Sequence, residues 1–277
     1  MMRESRQGGG LRCEMRNYKA VIQYEGTRYR GWQVQGNTEN TIQGKLEALL
    51  TRMEGAPVEV HGSGRTDAGV HAAGQVISFR CSDKKGAEEI REYMNRYLPE
   101  DMAVLSVEEA EPRFHARLHA VRKTYVYRIW NGKTKHVFGR RFLTWVEEPL
   151  DVEAMRRAAE SLCGTHDYRA FCSLKRFKKS TVRTVEEIRI SQEGQRIDFT
   201  YAGDGFLYHM VRILTGTLVE VGLGLRSAES VKEILDDRDR ARAGRLMPPE
   251  GLMLMRVDYG IREFSYCFRL LRSSFRN

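Results

Sequence analysis

Apolar residues recur along this chain with a period near two, then near four, then near two again, and that succession leaves few topologies open. Residues 18–24, YKAVIQY, are rich in aromatic and β-branched side chains and read as a strand. Residues 41–53 carry Ile42, Leu46, Leu49, Leu50 and Met53 at helical spacing, with Lys45, Glu47 and Arg52 left for water. Asn40 stands where a side-chain oxygen can cap that helix. Gly55 and Pro57 stop it and lead into a strand at 58–61, and another strand follows at 75–80. A second helix is expected at 87–97, with Pro99 just beyond it, and then a strand at 102–107. The order β-α-β-β-α-β is that of a ferredoxin-like unit.

The order repeats although the residues do not. A strand at 123–130, KTYVYRIW, opens the second round, and a helix at 151–162 follows with Asp151 at its start, where a negative charge is favoured. Strands at 184–191 and 195–201, a long apolar helix at 206–221 and a strand at 252–257 complete it. Asn131-Gly132 marks a turn, 141–146 an additional strand and 231–235 a short helix. The expected fold class is α+β: two ferredoxin-like β-α-β-β-α-β units with mainly antiparallel sheets. Side by side they leave a groove, and ligand sites favour such boundaries. The expected division is a disordered extension at 1–16, domains at 17–112 and 113–262, and a tail at 263–277. Translation can start at Met1, Met2 or Met15.

Between the strands ending at 61 and beginning at 75 lies HGSGRTDAGVHAAG, residues 61–74. It is long for a hairpin, which needs about two to five connecting residues. Arg65 and Asp67 stand between Gly64 and Gly69, so the loop can run tight, admit a ligand close to its backbone and present a carboxylate. The same residues also suit an ordinary turn in which Asp67 bonds its own backbone. Arg212 is its counterpart in the second unit. With Met210, Val211, Ile213 and Leu214 around it, an unpaired guanidinium there is costly. Asp67 resolves that cost if the two halves meet. The alternatives are an ion pair that only locks the halves together, or an Arg212 that snorkels to water.

A net charge of +9 favours an anionic partner, nucleic acid first. Residues 174–183, LKRFKKSTVR, gather Lys175, Arg176, Lys178, Lys179 and Arg183 without a carboxylate, and Phe177 can pack beneath the loop or stack on a base. A solvated charged loop is the plain alternative. Arg117, Arg122 and Lys123 extend the positive surface, suited to folded RNA held by shape and phosphate charge. No stretch approaches a membrane span. Five cysteines without close CxxC pairing point to a reducing, cytoplasmic compartment. His115 and His119 have the spacing of metal ligands on one helix face and Glu111 precedes the pair by four residues, but no HExxH motif is present and Pro112 weakens a helix through Glu111, so no metal is expected. His71 and His209 are expected to orient loops, contact RNA or pack locally.

A series of segments taken in order carries a family resemblance. They are GWQVQ (31–35), TIQ (41–43), GRTDAGVH (64–71), FHAR (114–117) followed by Tyr125, FLYHMVR (206–212) and EGLMLMRVDY (250–259). Together they resemble the TruA-type tRNA pseudouridine synthases over nearly the whole chain outside its tails. The resemblance implies a pseudouridine synthase fold with a central RNA-binding cleft. It implies an isomerase, needing no cofactor, that converts uridine to pseudouridine at positions 38, 39 and 40 of the tRNA anticodon stem-loop. Asp67 is then the catalytic nucleophile and Arg212 its ion-pair partner. Tyr125 stacks on the base or transfers a proton, although Tyr127 has the same strand parity. Arg65 displaces the target base, with an ion pair to Asp67 as its alternative. A homodimer is implied as well. The competing readings are a catalytically inactive RNA-binding or tRNA-folding protein and a metal-dependent hydrolase using Asp67. The two tails and residues 175–184 stand outside the motif core.

Overall fold

The structure, a computed structural model, describes residues 14–36 and 38–260. The first unit runs β1 (Met15–Tyr24), α1 (Ile42–Glu54), β2 (Val60–Gly62), β3 (His71–Ser82), α2 (Ala87–Tyr97) and β4 (Met102–Ala110). The second begins with β5 (Ala120–Asn131), β6 (Thr144–Val146), α3 (Val152–Glu160), β7 (Gly164–Asp167) and β8 (Val182–Glu193). It ends with β9 (Arg196–Gly203), α4 (Met210–Gly222), α5 (Ser230–Asp237) and β10 (Leu252–Tyr259).

These strands belong to one sheet, whose main path is β4-β1-β3-β10-β5-β9-β8-β7. Every pairing among them is antiparallel except β3 with β10 and β5 with β6. The two expected units are therefore present, and they join in a particular way. Strand β1 covers one edge of β3. On the other edge β2 pairs only with Ile77, Ser78 and Phe79, which leaves His71 and Ala72 to bond with Met253 and Leu254 of β10. A short β2 is what makes room for the second unit.

Local chemistry accounts for most boundaries. Helix α1 buries Ile42, Leu46, Leu49 and Leu50 and half-buries Met53, the residues its periodicity selects. Its cap is Thr41, not Asn40: the Thr41 hydroxyl accepts from the Gly44 amide, whereas the Asn40 side chain donates to the Arg28 carbonyl. Asn40 is one residue too early to reach the free amides. Helix α3 is capped by Asp151, which accepts from the Ala154 amide. Strand β1 starts earlier than its sequence pattern suggests, so Met15 and Arg16, expected in the extension, pair with Ser82 and Cys81. Glu14, also expected in the extension, accepts the Asp83 amide on its carbonyl at 3.0 Å, whereas residues 1–13 and the tail at 263–277 lie outside the described residues. Strand β7, GTHD, lacks the apolar alternation by which a strand is recognised in sequence.

Helix α4 departs most from expectation. It begins at Met210 rather than at 206, because His209 adopts a left-handed backbone, φ 66°, and breaks the run. Every residue of α4 except Glu220 is buried. Gly216 permits a close crossing over this helix: a Cβ there would lie 1.9 Å from the Arg245 carbonyl oxygen. The segment that crosses carries Met247 past the first turn of α4, where its carbonyl meets Arg212.

Candidate active site

The loop joining β2 to β3 is fastened from several sides. The Ser63 amide donates to the Val76 carbonyl, and the Ser63 hydroxyl to Gln75 Oε1, while Gln75 Nε2 donates to the Gly64 carbonyl at 2.9 Å. The Thr66 hydroxyl meets the Tyr24 hydroxyl at 2.8 Å, and the Thr66 carbonyl accepts from the Trp32 amide at 3.0 Å. Gly31, at φ 96°, lets the GWQ segment run against this backbone; a Cβ there would meet the Thr66 oxygen at 3.0 Å. Asp67 closes a turn by accepting the Val70 amide on its main-chain carbonyl at 3.2 Å. Its carboxylate is thereby left to face the second unit.

There it meets Arg212. The guanidinium donates from Nη1 to Asp67 Oδ2 at 3.0 Å and from Nε to the Met247 carbonyl at 2.7 Å. Arg212 is only 8% exposed, so it does not snorkel to solvent. The Asp67 side chain is 18% exposed, at the rim of the groove. His209 Nε2 lies 3.6 Å from the same Oδ2, and its Nδ1 is 2.8 Å from the Ser173 hydroxyl. Both the guanidinium and the imidazole address Oδ2, so among the described residues Oδ1 of Asp67 carries no hydrogen bond.

Asp67 and Arg212 open onto a groove of about 1010 Å³ between the two units. Tyr125 lines it and sets its ring edge-on to Phe206, with centroids 5.3 Å apart. Burial, then the neighbouring Tyr24 and the charge of Asp67, push the Tyr125 phenol well above its ordinary range. Tyr127 is resolved from it: its hydroxyl bonds the Thr144 hydroxyl and the Pro248 carbonyl inside the core.

The basic residues divide. Arg117, Arg176, Lys178, Lys179 and Arg183 line the groove. Lys175 is exposed but outside it, and Arg122 pairs instead with Glu186 at 2.7 Å and Glu187 at 3.8 Å. Adjacent strand residues point to opposite faces, so Arg122 and Lys123 of β5 cannot share one surface. Lys123 also lines the groove, but it turns beneath the Asp67 loop and donates to the Ser63 carbonyl at 2.7 Å. Burial chiefly, then Arg117 and Arg183, lower its amine to about 8. Arg65 is exposed on the groove wall, and among the described residues it forms no ion pair with Asp67.

Sequence reasoning missed the Met247 carbonyl, the Ser63–Gln75 clasp and the Asp67 contact of His209. The histidine pair at 115 and 119 occupies a turn, not a helix face: His119 Nδ1 accepts the His115 amide, and the His115 ring stacks on His61 at 4.6 Å. His71 packs locally, its Nδ1 accepting the Gly26 amide at 3.0 Å.

The model of the tRNA pseudouridine synthase family matches residues 20–118 and 158–260, and the chain belongs to that family of RNA-modifying isomerases. Among individual relatives, it is 48% identical over 230 residues to tRNA pseudouridine synthase A of Bacillus sp. (strain KSM-64), covering 83% of this chain and 94% of that one. It is 42% identical to tRNA pseudouridine synthase A 2 of Bacillus anthracis, over 88% of this chain and all of the relative. The synthase A of Clostridium kluyveri is 44% identical over the same shares. The resemblance read from the sequence motifs, and the expectation of an isomerase acting on tRNA, are borne out.

Proposed function

We propose that this chain converts uridine to pseudouridine at positions 38, 39 and 40 of the tRNA anticodon stem-loop, with Asp67 as the nucleophile. The observation that carries this reading is the contact from Asp67 to the buried Arg212, made across the two units at the edge of a basic groove. Arg212 holds one carboxylate oxygen and leaves the other for substrate. In the reaction the bond from uracil N1 to the sugar breaks, the ring is retained and turned, and a bond from C5 to the same sugar carbon forms. The C5 proton is lost and N1 gains one, so atoms balance with no external donor.

Tyr125 stacks on the target base. Its raised phenol stays protonated at neutral pH, so its hydroxyl acts as a hydrogen-bonding group rather than as a standing phenolate. Arg65, on the groove wall, displaces the target nucleotide and compensates for the stacking that the base gives up. Arg117, Arg176, Lys178, Lys179 and Arg183 hold phosphates. The chain works as a cytoplasmic homodimer in which one tRNA touches both subunits, requires no metal, and divides into domains at 17–112 and 113–262. Among the described residues no helix is long and apolar enough to cross a membrane.

The test is position-resolved detection of pseudouridine in unmodified tRNA transcripts, with and without a chelator, for the wild type and for Asp67→Asn. Product at positions 38 to 40 from the wild type alone, unaffected by chelation, is expected. Tight RNA binding without product across a panel of tRNAs would instead support a catalytically inactive RNA-binding protein.

A further inference from the structure

His209 is one of two non-glycine residues with positive φ among the described residues. A left-handed backbone is unfavourable for a residue with a Cβ and persists only where surrounding contacts impose it. It caps α4 without making a side-chain capping bond, so capping is not what the conformation achieves. What it achieves is a placement of the ring. The imidazole lies flat on Tyr208, centroids 3.6 Å apart, with Nδ1 on the Ser173 hydroxyl and Nε2 directed at Asp67 Oδ2.

Ser173 is held twice by this dipeptide, because its amide also donates to the Tyr208 carbonyl at 3.3 Å. It is the residue immediately before the basic loop that supplies Arg176, Lys178 and Lys179 to the groove. The far end of that loop is tied at Thr181, whose carbonyl accepts the Tyr168 amide and whose hydroxyl donates to Asp167. One imidazole therefore separates the root of this basic loop from the carboxylate.

We propose that His209 is a positioning residue that couples the seating of RNA on the 174–181 loop to the placement of Asp67. This rests on the reading of Asp67 as the reacting carboxylate. The Nε2 to Oδ2 distance of 3.6 Å is longer than a hydrogen bond. A movement of roughly half an ångström at the loop root would close it, as catalytic contacts tighten on substrate binding. Burial lowers the imidazole pKa, with Arg212 and Arg240 acting in the same sense and Asp67 opposing them. With the ring neutral and Ser173 donating to Nδ1, the remaining N–H sits on Nε2, toward the carboxylate. Arg212 fixes Oδ2 from one side, and His209 supplies a second direction only when the loop is loaded.

The experiment is a rate cycle on full-length protein, using single-turnover pseudouridine formation at saturating enzyme together with the dissociation constant for the same tRNA transcript. Lys178→Ala combined with Lys179→Ala should weaken binding and also slow the saturated step about tenfold. Ser173→Ala should slow that step about tenfold with binding changed less than about twofold, and adding it to the loop variant should slow it no further. His209→Asn tolerates the left-handed backbone and is too short to reach Asp67, so it should show the same loss of rate with binding intact. His209→Gly should also be slow, since relieving the backbone does not restore the contact.

Losses that multiply in the combined variant, or a His209→Asn protein at wild-type rate, would overturn the coupling while an inactive Asp67→Asn left the nucleophile assignment standing. An Asp67→Asn protein that kept the wild-type rate would overturn both. Urea unfolding of each variant identifies any that lose rate merely by failing to fold.

Discussion

Replacing Asp67 by Ala should destabilise the protein through the residue it abandons. Arg212 would keep its bond to the Met247 carbonyl but lose its counter-ion in a site where it is 8% exposed. Breaking a buried ion pair at one end costs about 3–5 kcal/mol. Water at the groove rim, where the Asp67 side chain is 18% exposed, brings the expected loss down to about 2–3 kcal/mol. Arg212→Met keeps the bulk of the stem but strands the Met247 carbonyl and the carboxylate, for a loss of about 2 kcal/mol. The double variant holds no buried charge. Its loss should be about 2 kcal/mol rather than the sum of about 4–5, a coupling of about 2–3 kcal/mol. Urea unfolding of the four proteins measures this, provided the denaturant dependence stays constant across them. Losses that add to within about 0.5 kcal/mol would mean that the two side chains do not support one another, and the account of the site built on their pairing would fail.

Other perturbations test other parts. Gly31→Ala should cost about 1–3 kcal/mol, from the positive φ and the contact with the Thr66 carbonyl, and should reduce isomerisation more than tRNA affinity because it pushes on the Asp67 loop. Lys123 has a folded pKa of about 8 against an ordinary 10.5, so between those values the unfolded chain binds the extra proton and stability rises with pH. Wild-type protein should gain on the order of 1 kcal/mol relative to Lys123→Met across that window, read by urea unfolding at its two ends; an unchanged difference would contradict the assignment. Lys178→Ala or Lys179→Ala should each lower the salt dependence of tRNA binding by about one unit of slope, whereas Arg122→Ala, already paired with Glu186, should leave it unchanged. Equal effects from all three would show that the groove is not the phosphate track.

What the sequence discloses depends on how local the cause is. Helix α2 is readable to its ends because its apolar spacing and the proline after it act within a few residues. The start of α4 is not, since 206–208 look helical and nothing local in the sequence marks the left-handed turn at His209, whose ring is held by Ser173 from a distant segment. The Asp67 to Arg212 pair is legible because a cation in an apolar helix demands a partner. The Met247 carbonyl is not, because it arrives through a backbone crossing over Gly216. Strand alternation alone is enough to separate Arg122 from Lys123, whereas the descent of Lys123 beneath Ser63 depends on where the two units meet.

The junction of β3 with β10 bears on how a substrate is handled. Enzymes whose halves are joined by a flexible linker can swing shut, spending closure energy to gather the reacting groups. Here a single hydrogen-bonded sheet passes through both halves, and the return of the chain through β10 stitches the second unit onto the first. Such a molecule meets its RNA as an open mould, not as a pair of jaws. In the proposed reaction the deformation then falls on the nucleic acid, and the choice among neighbouring uridines is made by how readily each one leaves its stack.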